Sequence, residues 1–358
     1  MRFAKLFPAL VLVGLVLMAC GSTNTTTTTT TKKIALLLPE SKTARYESKD
    51  RPFFTAKLKA LGYDTSTLIY SNANQDAPTQ QTQAEAALTN GAGVLVLDPV
   101  DGAAAAAIVA KAKAKNVPVI SYDRLILNTP DLNYYLSFDN AAVGALQGNA
   151  LLTALNGKAN ATVVMINGDP ADNNASLFKS GAHSVLDGKV NIAKEYDTPS
   201  WSPDKAQTEM AGALTALGKK VDGVLAANDG TAGGAIAAMK SAGLSPLPPI
   251  TGQDAELAAI QRILTGEQYM TVYKAIKAEA EAAATLAYDL ATGTAVPASM
   301  TNGKTVNNKT KDIPSILLTP VAVTKANIKD SVVADGFWTA ADICTGTYAS
   351  ACASAGIS

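Results

Sequence analysis

What most restricts the fold of this chain is an alternation repeated along its length. Short, nearly continuous runs of Val, Ile, Leu and Ala are separated by longer alanine-rich segments with helical spacing. The runs fall at 34–38, 94–97, 117–122, 134–138, 163–166, 223–226 and 270–273, and segments such as 79–89, 103–115, 204–217 and 233–241 are made of strong helix formers. A strand that is apolar on both faces has no side to offer water, so it needs helices above and below. The alternation therefore predicts an α/β fold of parallel sheets covered by helices on both faces.

Polar residues punctuate the ends of these runs. Asp98 follows 94–97, Asp123-Arg124 follow 119–122, and Asp139-Asn140 follow 135–138. Asp169 and Asp172-Asn173-Asn174 follow 163–167, Asn228-Asp229 follow 223–227, and Gln253-Asp254 follow Ile250. In open α/β sheets, ligands bind outside the carboxyl ends of the strands, so these loops mark the expected binding edge. Helix capping competes for the same residue types, and Asp98 and Asp169 are assigned to it. Of the two tryptophans, Trp201 lies in a turn between Pro199 and Pro203 and reads as an aromatic platform for a ligand. Trp338, in Asp335-Gly336-Phe337-Trp338, reads as packing.

Thirty basic and 30 acidic side chains cancel, and charged residues are 17% of the chain, which argues against a nucleic-acid partner. The single histidine, His183, argues against a Ser-His-Asp hydrolase, a histidine-rich metal site and a histidine pH switch; it is expected to be an ordinary helix residue. No metal and no cofactor is expected.

At the N-terminus Arg2 and Lys5 precede an apolar run at 6–18, too short to span a bilayer, that ends Leu17-Met18-Ala19-Cys20-Gly21. The ending resembles the lipobox of bacterial lipoprotein signals. It implies removal of residues 1–19 and acylation of Cys20. Residues 20–32 then form a tether, because seven consecutive threonines at 25–31 cannot bury enough surface to order themselves. The mature chain is thus expected outside the cytoplasm as a cell-membrane lipoprotein, in a periplasm or on the outer face of the cytoplasmic membrane. Cys344 and Cys352 are expected to pair and pin a peripheral C-terminal tail, 344–358.

Six motifs in order resemble the periplasmic sugar-binding proteins of ABC transporters, most closely their xylose-binding branch. They are Ser121-Tyr122-Asp123-Arg124, Ser137-Phe138-Asp139-Asn140, Asp172-Asn173-Asn174, Asn228-Asp229-Gly230-Thr231-Ala232-Gly233-Gly234, Gly252-Gln253-Asp254-Ala255 and Met270-Thr271-Val272-Tyr273-Lys274. The resemblance implies a type I periplasmic binding protein fold: two Rossmann-like lobes joined by a three-crossover hinge and closing around one sugar. The N-terminal lobe would be 33–138 with 275–311, and the C-terminal lobe and hinge 139–274 with 312–343. Carried over residue by residue, it implies sugar contacts at Arg45, Tyr46, Asp123, Arg124, Asn140, Trp201, Asn228, Asp254 and Lys274, with Asp139, Asn173 and Asp229 as further candidates. Tyr46 stands where the family has Trp and keeps a ring for stacking. The implied ligand is a neutral monosaccharide, D-xylose favoured over ribose, arabinose or glucose. The implied partner is an ABC permease, and the protein is expected to be a monomer and not an enzyme.

The chemistry of such a site agrees with these residue types. Sugar hydroxyls each donate and accept, so a selective pocket needs planar, multi-atom polar heads, and an epimer that strands one buried group loses about 1–3 kcal/mol. Arg45, Arg124 and Lys274 against Asp123, Asp139, Asp229 and Asp254 leave no cationic excess for a phosphorylated or carboxylated ligand. A glycosidase would use a carboxylate pair such as Asp123 and Asp254. Beside Arg124 and Lys274 both are expected to be poor general acids, and no other acid stands out. The glycines at 230–234 are expected to pack a helix against the sheet. A sugar-responsive regulator would need a helix-turn-helix where this chain has its signal and tether, and a sugar-sensing lipoprotein receptor remains the alternative to a transporter component. Cys20→Ser is expected to abolish lipid attachment, since stable anchoring needs more than one acyl chain; metabolic palmitate labelling that marks wild type but not the variant checks this.

Overall fold

The computed structural model describes residues 31–357 together with Met1 and Ala4; the apolar signal run, Cys20 and the threonines up to residue 30 lie outside the described residues. Among the described residues twelve strands are formed: β1 (Lys33–Leu38), β2 (Ile69–Asn72), β3 (Ala92–Leu97), β4 (Val119–Tyr122), β5 (Tyr134–Phe138), β6 (Thr162–Asn167), β7 (Asn191–Asp197), β8 (Gly223–Ala226), β9 (Met270–Tyr273), β10 (Thr305–Asn307), β11 (Asp312–Leu318) and β12 (Val321–Thr324). The first sheet runs β10-β11-β5-β4-β3-β1-β2, parallel throughout except for β10, which is antiparallel to β11. The second begins as parallel β7-β6-β8 and continues through single bridges, Val224 to Ile250 and Gln253 to Val272, toward the antiparallel pair of β9 and β12.

The continuous apolar runs are buried on both faces. On one side of the first sheet Ala35, Leu37, Leu95 and Leu97 pack against the helices Ala77–Thr89 and Ala106–Ala114. On the other side Ile34, Leu36, Val94 and Val96 meet the helices Arg51–Ala60 and Ile276–Thr292. The second sheet is covered in the same way, with Val164, Ile166, Val224 and Ala226 on one face and Val163, Met165 and Leu225 on the other. The chain passes between the two lobes after β5, after β9 and after β11. A two-lobed α/β fold with three crossings is therefore present.

The sequence assigned 312–343 to the second lobe and the hinge, and the structure divides that segment between the lobes. β11 inserts beside β5 in the first sheet, with Ser315 opposite Tyr135 and Leu318 opposite Phe138. This pairing joins segments far apart in the chain, which local periodicity does not report. The second lobe resumes at β12. Beyond it, the tail packs through Ile328, Val332, Phe337, Ile343 and Cys352 onto Ile260, Ile263, Leu264 and Tyr273. Cys344 and Cys352 are disulfide-linked, with Cα atoms 5.7 Å apart.

Two helix pairs approach closely through glycine. A Cβ on Gly144 would lie 1.9 Å from the Phe178 carbonyl oxygen, and one on Gly181 would lie 2.1 Å from that of Ala141, so Asn140–Leu155 and Asn173–Leu186 touch backbone to backbone. A Cβ on Gly234 would come within 2.1 Å of the Pro203 carbonyl, so this glycine serves helix-on-helix contact with Pro203–Ala216, whereas the sequence assigned it to helix-on-sheet packing. Gly181→Ala is expected to cost about 1–3 kcal/mol by overpacking, read from chemical or thermal unfolding. Gly212→Ala, whose added methyl meets nothing within 4 Å, should gain about 0.5–1 kcal/mol.

Candidate functional site

Segments that follow β1, β4, β6, β7, β8 and β9 contribute residues to one cavity. Thr43, Arg45 and Tyr46 follow β1, Asp123 and Arg124 follow β4, and Asp172, Asn174 and Phe178 follow β6. Trp201 follows β7, Asn228 follows β8, Gln253 and Asp254 follow the bridge at Ile250, and Lys274 follows β9. The space these residues leave is small and partly open, about 20 Å³ to a water-sized sphere, room for about one water.

Its wall is charged, buried and balanced. Arg45 lies 2.6 Å from both Asp50 and Glu279, 3.4 Å from Asp123 and 4.0 Å from Asp254. Arg124 faces Asp172 at 3.1 Å, Glu40 at 3.6 Å and Asp98 at 3.7 Å. Lys274 lies 3.0 Å from Asp254 and 3.9 Å from Asp123. Burial alone would raise the Asp123 carboxyl, but Arg45, Lys274, Arg124 and the Tyr46 hydroxyl, which donates to it at 2.8 Å, hold it well below the usual range. Asp172 goes the other way: burial outweighs Arg124 and pushes it up to about 6. No acid stands out from the sequence, because Asp172 is not among the candidate site residues.

Several wall atoms have no partner within the protein. Arg124 Nε, Asp254 Oδ1 and Gln253 Oε1 are buried without a hydrogen bond, the first two lying near opposite charges but off the line of a bond. Buried polar atoms are nearly always satisfied. Donor and acceptors held open from both lobes are the signature of a polar ligand. The aromatic complement is Tyr46, Phe178 and Trp201; the Trp201 indole donates to Asp172 at 3.2 Å and meets Phe178 edge-on at 6.3 Å. A Cβ on Gly168 would stand 2.0 Å from the Trp201 ring, so glycine there lets the indole lie flat against the chain.

Three wall residues are held in the left-handed backbone region: Asp123 at φ 54°, Trp201 at φ 49° and Asp254 at φ 91°. Such conformations cost about 1–3 kcal/mol each and persist where surrounding bonds over-determine them. For Asp254 these bonds are its own amide to Val272 O at 2.8 Å and that of Ala255 to Thr271 Oγ1 at 3.2 Å.

Arg45, Tyr46, Asp123, Arg124, Trp201, Asn228, Asp254 and Lys274 all line the cavity, and four other candidates do not. Asn140 stands one layer behind, its amide donating to Asn174 at 2.8 Å and Ser137 at 3.1 Å. Asp139 is exposed and caps the helix Asn140–Leu155 through the Ala142 amide, an orientation its extended φ and ψ impose. Asn173 is half-buried on the helix start and points elsewhere than its neighbour Asn174. Asp229 is fully buried behind the site, accepting from Gln268, Thr271 and the Glu256 amide, so it braces the loop that bears Asp254. Asp98 and Asp169, assigned to capping, cap nothing. Asp98 is buried beside Arg124, and Asp169 accepts from Gln75 of the first lobe and from the Ser200 amide. Thr43, Asp172, Asn174, Phe178 and Gln253 escaped the sequence reading. Asp172, Asn174 and Gln253 sat inside quoted motifs, and Phe178, four residues beyond Asn174, shares its helix face.

Burial of carboxyls fixes a pH dependence. Asp172 is pushed up to about 6 and Asp229 to about 7, burial being the first cause of each. An unfolded Asp titrates near about 3.9. A native carboxyl above that value keeps its proton after the unfolded chain has lost its own, so its stabilisation is complete below about pH 4 and disappears as pH rises through the native value. The ligand-free protein is expected to unfold at a higher temperature at pH 5 than at pH 8, and Asp172→Asn should reduce that difference; scanning calorimetry at the two pH values checks both.

Residues 34–295 match the family described as periplasmic binding protein domain. The chain is 40% identical over 320 residues to the D-xylose-binding periplasmic protein of Escherichia coli (strain K12), covering 88% of this chain and 93% of that one. Among solved structures, an ABC transporter solute-binding protein from Clostridium phytofermentans with bound β-D-glucose superposes with a TM-score of 0.81 at 30% identity, covering 87% of this chain and all of the other. A carbohydrate transporter solute-binding protein from Chloroflexus aurantiacus in complex with D-glucose gives 0.79 at 31% identity, covering 87% and 98%. With its two lobes, three crossings and a polar site lined from both lobes, the chain belongs to the periplasmic binding protein family.

Proposed function

We propose that this protein captures a neutral monosaccharide between its lobes, D-xylose in preference to other aldoses, and delivers it to an ABC permease as a lipoprotein anchored through Cys20. The observation that carries the reading is the buried, charge-balanced wall, whose Arg124, Gln253 and Asp254 leave polar atoms free beside the rings of Tyr46, Phe178 and Trp201. A carboxylate and an amide accept from adjacent hydroxyls, a guanidinium donates to a ring or hydroxyl oxygen, and the indole face covers the C–H side of the sugar. The equality of three cations and three carboxylates in the lining disfavours an ionic ligand. Xylose is favoured because the relative at 40% identity carries that sugar in its name, while the glucose-bound structures stand at 30% and 31%.

The reading makes no covalent step: the site binds, closes and releases. Residues from both lobes contact one ligand, so the closed state alone offers all the bonds, and the ligand shifts the lobes toward it. Calorimetric titration with a panel of aldopentoses and aldohexoses tests the ligand class, and small-angle scattering with and without saturating sugar tests closure. Asp254→Ala should weaken xylose binding by about 2–4 kcal/mol through loss of a charged acceptor beside Lys274. Trp201→Ala should cost about 1–3 kcal/mol of stacking. Wild-type xylose affinity in Asp254→Ala would remove that residue from the site.

A further inference from the structure

The C-terminal tail, taken from the end of β12 and so longer than the peripheral 344–358 expected from the sequence, touches both lobes at once. It is folded onto the second lobe by the core around Phe337, Ile343 and the cystine. From there it reaches Lys49, which sits on the first lobe in the helical turn that follows Arg45 and Tyr46. The Lys49 ammonium donates to the Phe337 carbonyl at 2.5 Å and lies 3.6 Å from the centre of the Trp338 ring and 4.8 Å from that of Phe337. Asp342 of the tail is the carboxylate that faces it. On its other side Trp338 donates its indole N–H to the Ala255 carbonyl at 2.8 Å. Ala255 follows Asp254, and both are held at positive φ, 50° and 91°, an arrangement that needs external bonds to persist. The indole bond comes from outside the strand cluster, as does the brace of Asp229 on the neighbouring Glu256 amide.

We propose that Lys49 and the tail residues Phe337 and Trp338 form a latch for the closed state, and that Trp338 is a positioning residue for the Asp254 carboxylate. The proposal rests on the reading of the cavity as a sugar site. Its logic is geometric: a cation from one lobe is seated on two rings and a carbonyl of the other, so the contact is made when the lobes meet and lost when they part. The same ring system fixes the loop that presents Asp254, so correct seating of that carboxylate and gripping of Lys49 are one event. The latch therefore slows ligand release and leaves capture, which begins from the open state, unaffected.

The test uses the full chain and stopped-flow release of D-xylose and D-glucose, with Trp201 fluorescence as the probe and thermal unfolding measured alongside. A half-buried cation seated on two aromatic rings and a carbonyl supports a change of about tenfold. Lys49→Ala is expected to speed release about tenfold with association changed less than about twofold, and Lys49→Arg, which keeps a cation on the rings, should restore slow release. Trp338→Phe retains a ring for Lys49 but loses the indole bond to Ala255; it should weaken affinity in wild type and have little further effect in Asp254→Asn, where the positioned charge is already gone. Release at the wild-type rate in Lys49→Ala, or fast release that Lys49→Arg fails to correct, overturns the latch. Equal losses from Trp338→Phe in both backgrounds overturn the positioning role. Wild type that titrates with neither sugar overturns the sugar reading, and the latch with it, whereas sugar binding with unaltered release in the variants overturns the latch alone.

Discussion

Three cations removed from water between two lobes are the constraint on which the rest of this structure depends. Desolvating each is expensive, and the expense is recovered only where carboxylates stand close and well directed. Arg45 is paired within its own lobe to Asp50 and Glu279, and Arg124 to Glu40 and Asp98, before either meets the opposite lobe. Lys274 and Asp254 then bring charge from the other side. Each guanidinium thus has a carboxylate partner within its own lobe, so closure does not have to bury an isolated cation. A ligand that is itself uncharged leaves that balance intact.

The layering explains why some acids near the cleft are not part of its wall. Asp50, Glu279 and Asp98 hold the guanidinium groups from behind, and Asp229 holds the loop of Asp254 from behind. Burial pushes Asp98 and Glu279 well above the ordinary carboxylate range, against the pull of Arg124 and Arg45. Their purpose is orientation. A guanidinium fixed on two sides has its remaining N–H groups aimed, and an aimed donor distinguishes one hydroxyl configuration from another.

Much of this was legible in the sequence because a parallel strand buried on both faces leaves a strong mark, and because its carboxyl end is where side chains become functional. Asp123, Arg124, Asn228, Asp254 and Lys274 all sit at such ends. What failed was direction. Asp139 and Asp172 both cap helices, yet the first is exposed and the second also faces Arg124 across the cavity. Capping fixes the backbone and leaves open which of two side-chain oxygens meets the cleft. Asn173 and Asn174 differ by one helical step, about 100° around the axis, and sequence alone does not give the phase of a helix start. Strands β2, β7 and β10 were unforeseen because edge strands carry polar residues, as in the half-exposed run Asn191–Asp197. The place of β11 was hidden because its partner, β5, is remote in the chain.

The left-handed backbone at Asp123 and Asp254 bears on how such a protein changes its preferences over evolutionary time. At φ 54° and 91° these positions tolerate Asp, Asn and Gly far better than branched or bulky residues. Their side-chain repertoire is narrow whatever the ligand. Asn174, on a helix, and Gln253 carry no such restriction while reaching the same cavity. A lineage drifting toward a new ligand would therefore keep its acidic anchors and diversify at the unstrained positions, so that the most variable sites among descendants mark the soft part of the pocket.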